Sequence, residues 1–259
     1  MKKITIIVPF YNDSNNIKKL LDSIVQMKDI ADVLIIDDHS DIDQIQRLKK
    51  ISLNYDNVSV QTNNTPDKGA GVCRNLGIKE THTEWIMFAD SDDHFLQDAY
   101  NILNSYLNSS YDMVFFEPVS TNERGKIGSR HQTYAEYHRV ENKNYLRYKL
   151  PVVWSRLFKT NFIRDNNFWF DETIVSNDRM FALKTGIAAD SIFIENRNIY
   201  SWDYNGQSLT TKMSKERFLI NLSVFIRSNK YLRSHLIKED YIRYSESGIK
   251  IAPILVFGT

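Results

Sequence analysis

At ~150 residues per domain, the 259 residues of this chain suffice for one large domain or two small ones. A 42% apolar content, 25% charged content and 32 aromatic residues supply a sizeable core and exclude wholesale disorder. Lys and Arg total 33 against 32 Asp and Glu, so no global charge excess points to a nucleic-acid partner.

The N-terminal stretch MKKITIIVPFYND has two lysines, a short apolar run and no small-residue cleavage site, so it reads as a first strand and not a signal peptide. ITIIVPF (4–10), VLIID (33–37), VSVQT (58–62) and WIMFA (85–89) are β-branched and aromatic runs spaced one βα unit apart. Between the first two, Ile17, Leu20, Leu21, Ile24 and Val25 recur with helical spacing, and Asn12, Asp13 and Ser14 offer an N-cap. Weaker helical patterns follow through Ile42, Ile45 and Leu48, over 71–80, and through Leu96, Ala99, Leu103 and Leu107. Continuous apolar strands alternating with helices predict an α/β fold with a mostly parallel sheet covered on both faces. In such sheets ligands bind at the carboxyl ends of the strands, so the polar residues following each strand carry the search for function.

After MVFFEPV (113–119), the polar stretch 120–150 reads as a loop with a short helix. PVVWSRLF (151–158), NNFWFDE (166–172), a helical segment at 177–189, and the strand-like SIFIE and IYSWDY follow. From about residue 212 the pattern is helical and basic. Residues 212–250 hold nine Lys and Arg against four Asp and Glu, a local +5 that leaves −4 for the rest. Three segments result: 1–110, 111–211 and a helical extension at 212–259. No run approaches the ~20 apolar residues of a membrane span. A single cysteine, Cys73, excludes an intramolecular disulfide and a Cys-rich zinc site, and reads as a buried packing residue.

Asp90, Asp92 and Asp93 crowd three carboxylates directly after WIMFA. Like charges ~4 Å apart repel by roughly 1 kcal/mol in water and more at lower dielectric, which a divalent cation with oxygen ligands relieves. Mg²⁺ takes one or two carboxylates plus substrate phosphates, so this reading implies a phosphate-bearing ligand. The plainer reading makes Asp92 or Asp93 a cap for a helix beginning near Leu96. Asp38, in the run Asp37-Asp38-His39-Ser40, suits hydrogen bonding to a nucleobase or ribose, or capping the next helix. Two acidic strand ends of one parallel sheet converge on one edge.

Nine glycines are about half the ordinary share of ~7%, yet Gly69, Gly71 and Gly77 fall within nine positions. Their run lacks both GxGxxG spacing and a Walker lysine, so it reads as a tight turn and a helix start brought close to a ligand. Arg74 pairs either with an acidic neighbour or with a diphosphate. Asp178 stands where an N-cap acid belongs, or where a general base could enter a cleft. His39 and His94 form no ligand set.

Taken in order, TIIVPFYN, LIIDDHSD, KGAGVCRNLGI, WIMFADSDD, VVWSRLFKTNF, NFWFDETIVSNDRMF and IYSWDYNGQSLTT resemble the family 2 glycosyltransferases of bacterial surface-polysaccharide synthesis. That resemblance covers roughly 210 residues. It implies a GT-A-type fold and transfer, with inversion, of a hexose or N-acetylhexosamine from a UDP-sugar to a glycan or lipid-linked acceptor hydroxyl. It further implies that Pro9 and Tyr11 border the nucleotide and that Asp38 holds the base. Asp90 and Asp92 match the family's DxD motif for Mn²⁺ or Mg²⁺, with Asp92 the direct ligand. Asp93 matches a sugar contact, Arg74 and Asn75 the Arg-Asn step near the donor, and Asp178 the catalytic base. His39 replaces the usual Gly and adopts φ > 0 less freely. Asn177 replaces the usual Glu before the base, a change that bears on acceptor binding.

Two rival readings stand. A nucleotidyltransferase shares the sheet and metal carboxylates, but the Gly-rich, basic loop expected after strand 1 is replaced by the acidic PFYND. A non-catalytic nucleotide- or carbohydrate-binding relative would not need Asp38, Asp92 and Asp178 together. The expected location is the cytoplasm, with peripheral contact of the basic C-terminal segment at the inner face of the membrane left open. The apolar end APILVFGT implies burial, pairing with a second copy, or continuation into a longer protein.

Overall fold

A computed structural model of the chain describes residues 2–140, 142–204 and 214–246. Two expectations lie outside these residues: the NGQSLTT part of the resemblance and the apolar end APILVFGT.

The first four apolar runs form β1 (Ile4–Phe10), β2 (Ala31–Asp37), β3 (Val58–Thr62) and β4 (Trp85–Phe88). They are joined by α1 (Ile17–Ile24), α2 (Ile42–Ser52) and α3 (Ala70–Glu80). After β4 come β5 (His94–Phe95), α4 (Ala99–Asn104), β6 (Met113–Phe116) and β7 (Val119–Ser120). Then follow α5 (Gln132–Arg139), α6 (Asn144–Lys149), β8 (Arg156–Lys159) and α7 (Thr160–Asp165). The remaining elements are α8 (Arg179–Ala188), β9 (Ile192–Glu195), β10 (Tyr200–Trp202), α9 (Lys215–His235) and α10 (Lys238–Tyr244). The stretch 120–150 thus holds two helices where the sequence suggests one.

Seven strands make one sheet in the order β3-β2-β1-β4-β8-β6-β9, parallel throughout except for β8, which runs antiparallel to both neighbours. A small second sheet, β5-β10-β7, brings the chain around residue 200 back beside the end of β4. Alternation along β1 divides the core. Ile4, Ile6, Val8 and Phe10 face α1, whose Ile17, Leu20, Leu21 and Ile24 are buried against them. Ile7 and, from β4, Ile86 and Phe88 enter the opposite layer with Phe158, Phe170 and Phe181. There the rings of Phe170 and Phe181 stack 4.0 Å apart, which pins the approach to α8 against the sheet. Among the described residues no helix is long and apolar enough to cross a membrane.

Asn16, and not Asn12, Asp13 or Ser14, precedes α1, and its side chain makes no capping bond. Asp98 likewise precedes α4, so neither Asp92 nor Asp93 serves as that helix's cap.

Close packing explains one glycine directly. A Cβ on Gly77 would stand 2.4 Å from Cγ2 of Ile7, on the interior strand β1 of the sheet. Gly77→Ala is therefore expected to destabilise the fold by about 1–3 kcal/mol, read as a lower urea midpoint with unchanged slope.

Candidate active site

The carboxyl ends of β1, β2 and β4 are stitched together by short polar side chains. In the turn after β1, Asn12 takes φ 50°; its backbone N–H donates to Ser40 Oγ (2.9 Å) and its Oδ1 accepts from the Asp41 N–H (2.8 Å). Asp13 Oδ2 accepts from Ser91 Oγ at 2.6 Å, tying the same turn to the loop after β4. Beside them Pro9 is half-buried, and Tyr11 stands 56% exposed at the mouth of the site.

Asp38 is buried at the end of β2 and held on both oxygens. Asn63 Nδ2 donates to Oδ1 (3.0 Å) and the Gly69 N–H donates to Oδ2 (2.7 Å). Gly69 takes φ 120°, a backbone state that L side chains rarely adopt, so glycine there is what lets its amide reach the carboxylate. His39 takes φ 62°, so the left-handed turn is kept without glycine at a cost of roughly 1–2 kcal/mol.

Helix α3 opens at this turn and carries Arg74 and Asn75 into the interior. The Arg74 guanidinium donates through Nη2 to Asp90 Oδ1 (2.7 Å) and through Nη1 to Asn177 Oδ1 (2.8 Å). One buried cation therefore spans the acidic end of β4 and the start of α8. Asn75 is buried and engaged elsewhere: its Nδ2 donates to the Phe170 carbonyl and to Glu172 Oε1, both at 3.1 Å. Its Oδ1 accepts from the Phe170 N–H at 2.8 Å, so Asn75 fastens the loop entering α8. Gly71 lets that loop approach, since a Cβ there would stand 2.2 Å from the Asp171 carbonyl oxygen.

The three carboxylates after β4 have separate surroundings. Asp90 and Asp92 are half-buried, and Asp90 is paired with Arg74. Asp93 is buried: Tyr200 Oη donates to its Oδ2 (2.7 Å) and the Asp203 N–H to its Oδ1 (2.8 Å). Desolvation, then the charges of Asp90 and Asp92, push the Asp93 carboxyl well above the usual carboxylate range. The sequence expectation places Asp93 against a sugar; in the fold its carboxylate joins the end of β4 to β10. Tyr200 Oη also accepts from the Asp90 N–H (2.9 Å), so one phenol fixes both ends of the acidic turn.

Asp178 precedes α8 and makes no capping bond to it. Desolvation by the protein packed around it raises its carboxyl above the usual range; Arg74 opposes that rise and Asp90 adds to it. The fully buried Arg156 lies in the same field, its Nη2 donating to the Leu150 carbonyl at 2.6 Å. Burial lowers Arg156 to about 9 against the pull of Asp178. Asp90, Arg74, Asn177 and Asp178 thus lie together beyond the end of β4, with Asp38 and Tyr11 following the neighbouring strands β2 and β1. Asn63, Tyr200 and Arg156 were not singled out by sequence, because each acts through a partner distant in the chain.

The donor set suits a divalent cation shared with a phosphate. Among the described residues no group of three or more His, Cys, Asp or Glu is placed to hold a metal ion unaided. Asp90 and Asp92 nonetheless concentrate enough negative charge to hinder ionisation of Asp93 beside them. One or two carboxylates with substrate oxygens completing the shell is the usual protein contribution to Mg²⁺ in phosphate sites.

The model of the family described as Glycosyl transferase family 2 matches residues 5–169, more than half of the chain. The chain belongs to that family. Its sequence is 26% identical over 205 residues to the poly(ribitol-phosphate) beta-N-acetylglucosaminyltransferase TarS of Staphylococcus aureus, covering 77% of this chain and 35% of TarS. The family 2 chain therefore spans about a third of that relative's length. In three dimensions it is similar to S. aureus TarS residues 1–349 in complex with UDP-GlcNAc. The TM-score is 0.72 at 20% identity, covering 92% of this chain and 69% of the other. It is also similar to a mannosyltransferase of Pyrobaculum calidifontis in complex with GDP-Man and Mn²⁺. There the TM-score is 0.59 at 13% identity, covering 99% and 79% of the two chains. These likenesses give the family 2 chain the GT-A-type fold expected from its sequence.

Removing the Tyr200 hydroxyl strips a donor from buried Asp93 and an acceptor from the Asp90 N–H. Tyr200→Phe is expected to lower stability by about 1–3 kcal/mol. It is also expected to speed hydrogen exchange of the Asp90 amide several-fold, because the acidic turn loses its common anchor.

Proposed function

We propose that the protein is an inverting glycosyltransferase of cell-surface polysaccharide synthesis. It moves a hexose or N-acetylhexosamine from a UDP-sugar to a hydroxyl of a glycan or lipid-linked acceptor. The observation that carries this reading is the Arg74 bridge. A single guanidinium reaches Asp90 at 2.7 Å and Asn177 at 2.8 Å, which sets the residue after Asn177 beside the acidic turn. A desolvated carboxylate there is suited to general-base work on a group held next to a diphosphate.

In this reading residues 1–110 bind the donor, with Tyr11 and Pro9 against the nucleotide and Asp38 accepting from the base. Residues 111–211 bind the acceptor. Asp92, with Asp90, would hold Mn²⁺ or Mg²⁺ against the donor diphosphate; a bound divalent cation supplies charge neutralisation of the departing UDP. Support comes from the structural relatives, which include TarS in complex with UDP-GlcNAc and the mannosyltransferase in complex with GDP-Man and Mn²⁺. Asn75 and Asp93 enter as positioning residues, since their side chains are occupied within the protein.

The chain's own residues then act in order. Asp178 takes the proton of the acceptor hydroxyl as its oxygen attacks the anomeric carbon. The bond from that carbon to the diphosphate oxygen breaks on the opposite face, and UDP departs. Arg74 holds Asp90 and the start of α8 in register throughout. Asn177 accepts from Arg74 without adding a second negative charge, so Asp178 is the one carboxylate of its pair.

A panel of UDP-sugars, read by UDP release and thermal shift with and without Mn²⁺, tests this reading. Metal-dependent stabilisation by one UDP-sugar supports it, and no response to any member overturns it. Asp178→Asn is expected to lower kcat by about 10²–10⁴-fold while the UDP-GlcNAc dissociation constant holds. Wild-type turnover in that variant removes Asp178 from its role. Because a base must be ionised to act and desolvation raises Asp178, kcat/KM is expected to fall on acidification at a pH above the ordinary aspartate range, near 4. An acid limb at or below pH 4 contradicts the assignment.

A further inference from the structure

The loop 171–178, which delivers Asp178 to the cleft, is gripped from two sides. On the donor side α3 holds it through Asn75, Arg74 and the close approach at Gly71. On the other side stands the C-terminal hairpin of α9 and α10. Arg227 on α9 grips Asp171 with a bidentate pair, Nη2 to Oδ2 at 2.6 Å and Nη1 to Oδ1 at 3.1 Å. Asn221, one and a half turns earlier on α9, accepts from Ser176 Oγ at 2.7 Å. Ser176 takes φ 54°, so a strained residue two before Asp178 is fastened to the hairpin.

A third contact closes the grip. Glu246, just beyond α10, pairs with Arg179 at 2.7 Å, and Arg179 directly follows Asp178 at the start of α8. Glu246 is itself aligned by Asn229 of α9: its N–H donates to Asn229 Oδ1 (3.1 Å), and Asn229 Nδ2 donates to the Glu246 carbonyl (3.0 Å). Lys149 of α6 lies 3.5 Å from the same carboxylate. Its two cationic neighbours pull the Glu246 carboxyl down against the desolvation that opposes them. Inside the loop the Asp171 N–H donates to the Asn177 carbonyl at 3.2 Å, so tension at either end is shared.

We propose that the α9–α10 hairpin is a latch that sets the position of the general base, with Arg227, Asn221 and Glu246 as its positioning residues. The three reach the loop and the start of α8, so the latch acts on the sugar-transfer step. The proposal rests on the role assigned above to Asp178. It gives part of the basic C-terminal segment a partner inside the protein: Arg227 is committed to Asp171.

The test compares Arg227→Met, Glu246→Gln and the charge-swapped pair Arg227→Asp with Asp171→Arg in the full chain. Three quantities are read: UDP release from UDP-GlcNAc with a poly(ribitol phosphate) acceptor, the UDP-GlcNAc dissociation constant, and hydrogen exchange of the 171–178 amides. The single variants are expected to exchange these amides faster and to lose roughly 10- to 100-fold in kcat, as small displacements of a reacting group do. Donor affinity stays within about twofold, and the swapped pair recovers protection and turnover. Unchanged exchange in the single variants overturns the latch, as does a parallel loss of donor affinity. If exchange rises but kcat holds, the latch is structural only and the proposal fails. Asp178→Asn is the control for the underlying reading: wild-type turnover there removes the base assignment, while exchange still decides whether the hairpin orders the loop.

Discussion

The rest of the site depends on one buried guanidinium. Arg74 is 5% exposed, lies 5.4 Å from the Phe170 ring centroid and reaches Asp90 and Asn177 with separate nitrogens. Desolvating a cation is expensive, and the cost is offset only where hydrogen bonds of good geometry receive it. That requirement fixes the spacing between the end of β4 and the start of α8, two elements almost ninety residues apart in sequence. Three neighbouring features serve it. Gly69 turns the chain so that α3 starts beside Asp38, Gly71 admits the Asp171 backbone, and Asn75 fastens Phe170, whose ring flanks the guanidinium. The glycine cluster in a glycine-poor chain thus serves packing, beside the buried cation at Gly69 and Gly71 and against Ile7 at Gly77.

How much of this was legible follows from where each signal resides. Strands β1, β2 and β4 were readable because strands buried on both faces are continuous apolar runs, and the edge strand β3 because half-buried Val58 and Val60 alternate with exposed Ser59 and Gln61. The start of α1 was not, because Asn12 and Asp13 look like caps but spend their side chains on Asp41 and Ser91, in neighbouring loops. One short helix was expected where α5 and α6 both stand, because their polar sequence carries little periodicity; Ala135, His138 and Leu146 are their buried anchors. The acidic turn was located by sequence, but the division of labour within it was not. Asp93 differs from Asp90 and Asp92 only through Tyr200 and Asp203, more than a hundred residues onward. Long-range polar pairing leaves no local pattern to read.

The two departures from the family pattern resolve differently. His39 occupies a left-handed backbone state that glycine would take without strain, and its neighbour Asp38 remains held by Asn63 and Gly69. The turn therefore survives the replacement at an energetic cost confined to one residue. Asn177 changes the electrostatics instead. A glutamate there would give Arg74 two acidic partners; an amide oxygen satisfies the same nitrogen and leaves the ion pair with Asp90 one to one. Asn177 thus adds no charge that would oppose the Arg74 field at Asp178, whose carboxyl that field lowers against desolvation.

A net charge of +1 conceals this arrangement. Acidic groups gather at the strand ends, where Asp90 and Asp92 make ionisation of Asp93 unfavourable. Basic groups gather in the last two helices, where Arg227 reaches back to Asp171. The loop between them is held from both sides, by Arg74 and Asn75 of α3 on one and by Arg227 and Glu246 of the hairpin on the other. A loop fixed on one side only would carry Asp178 with the mobility of its free flank. Fixed on both, it presents the carboxylate at a distance from the acidic turn that neither α3 nor the hairpin sets alone. Near-neutrality is a sum over separated groups, and the loop that carries Asp178 is fastened where the two groups face each other through Arg74 and Arg227.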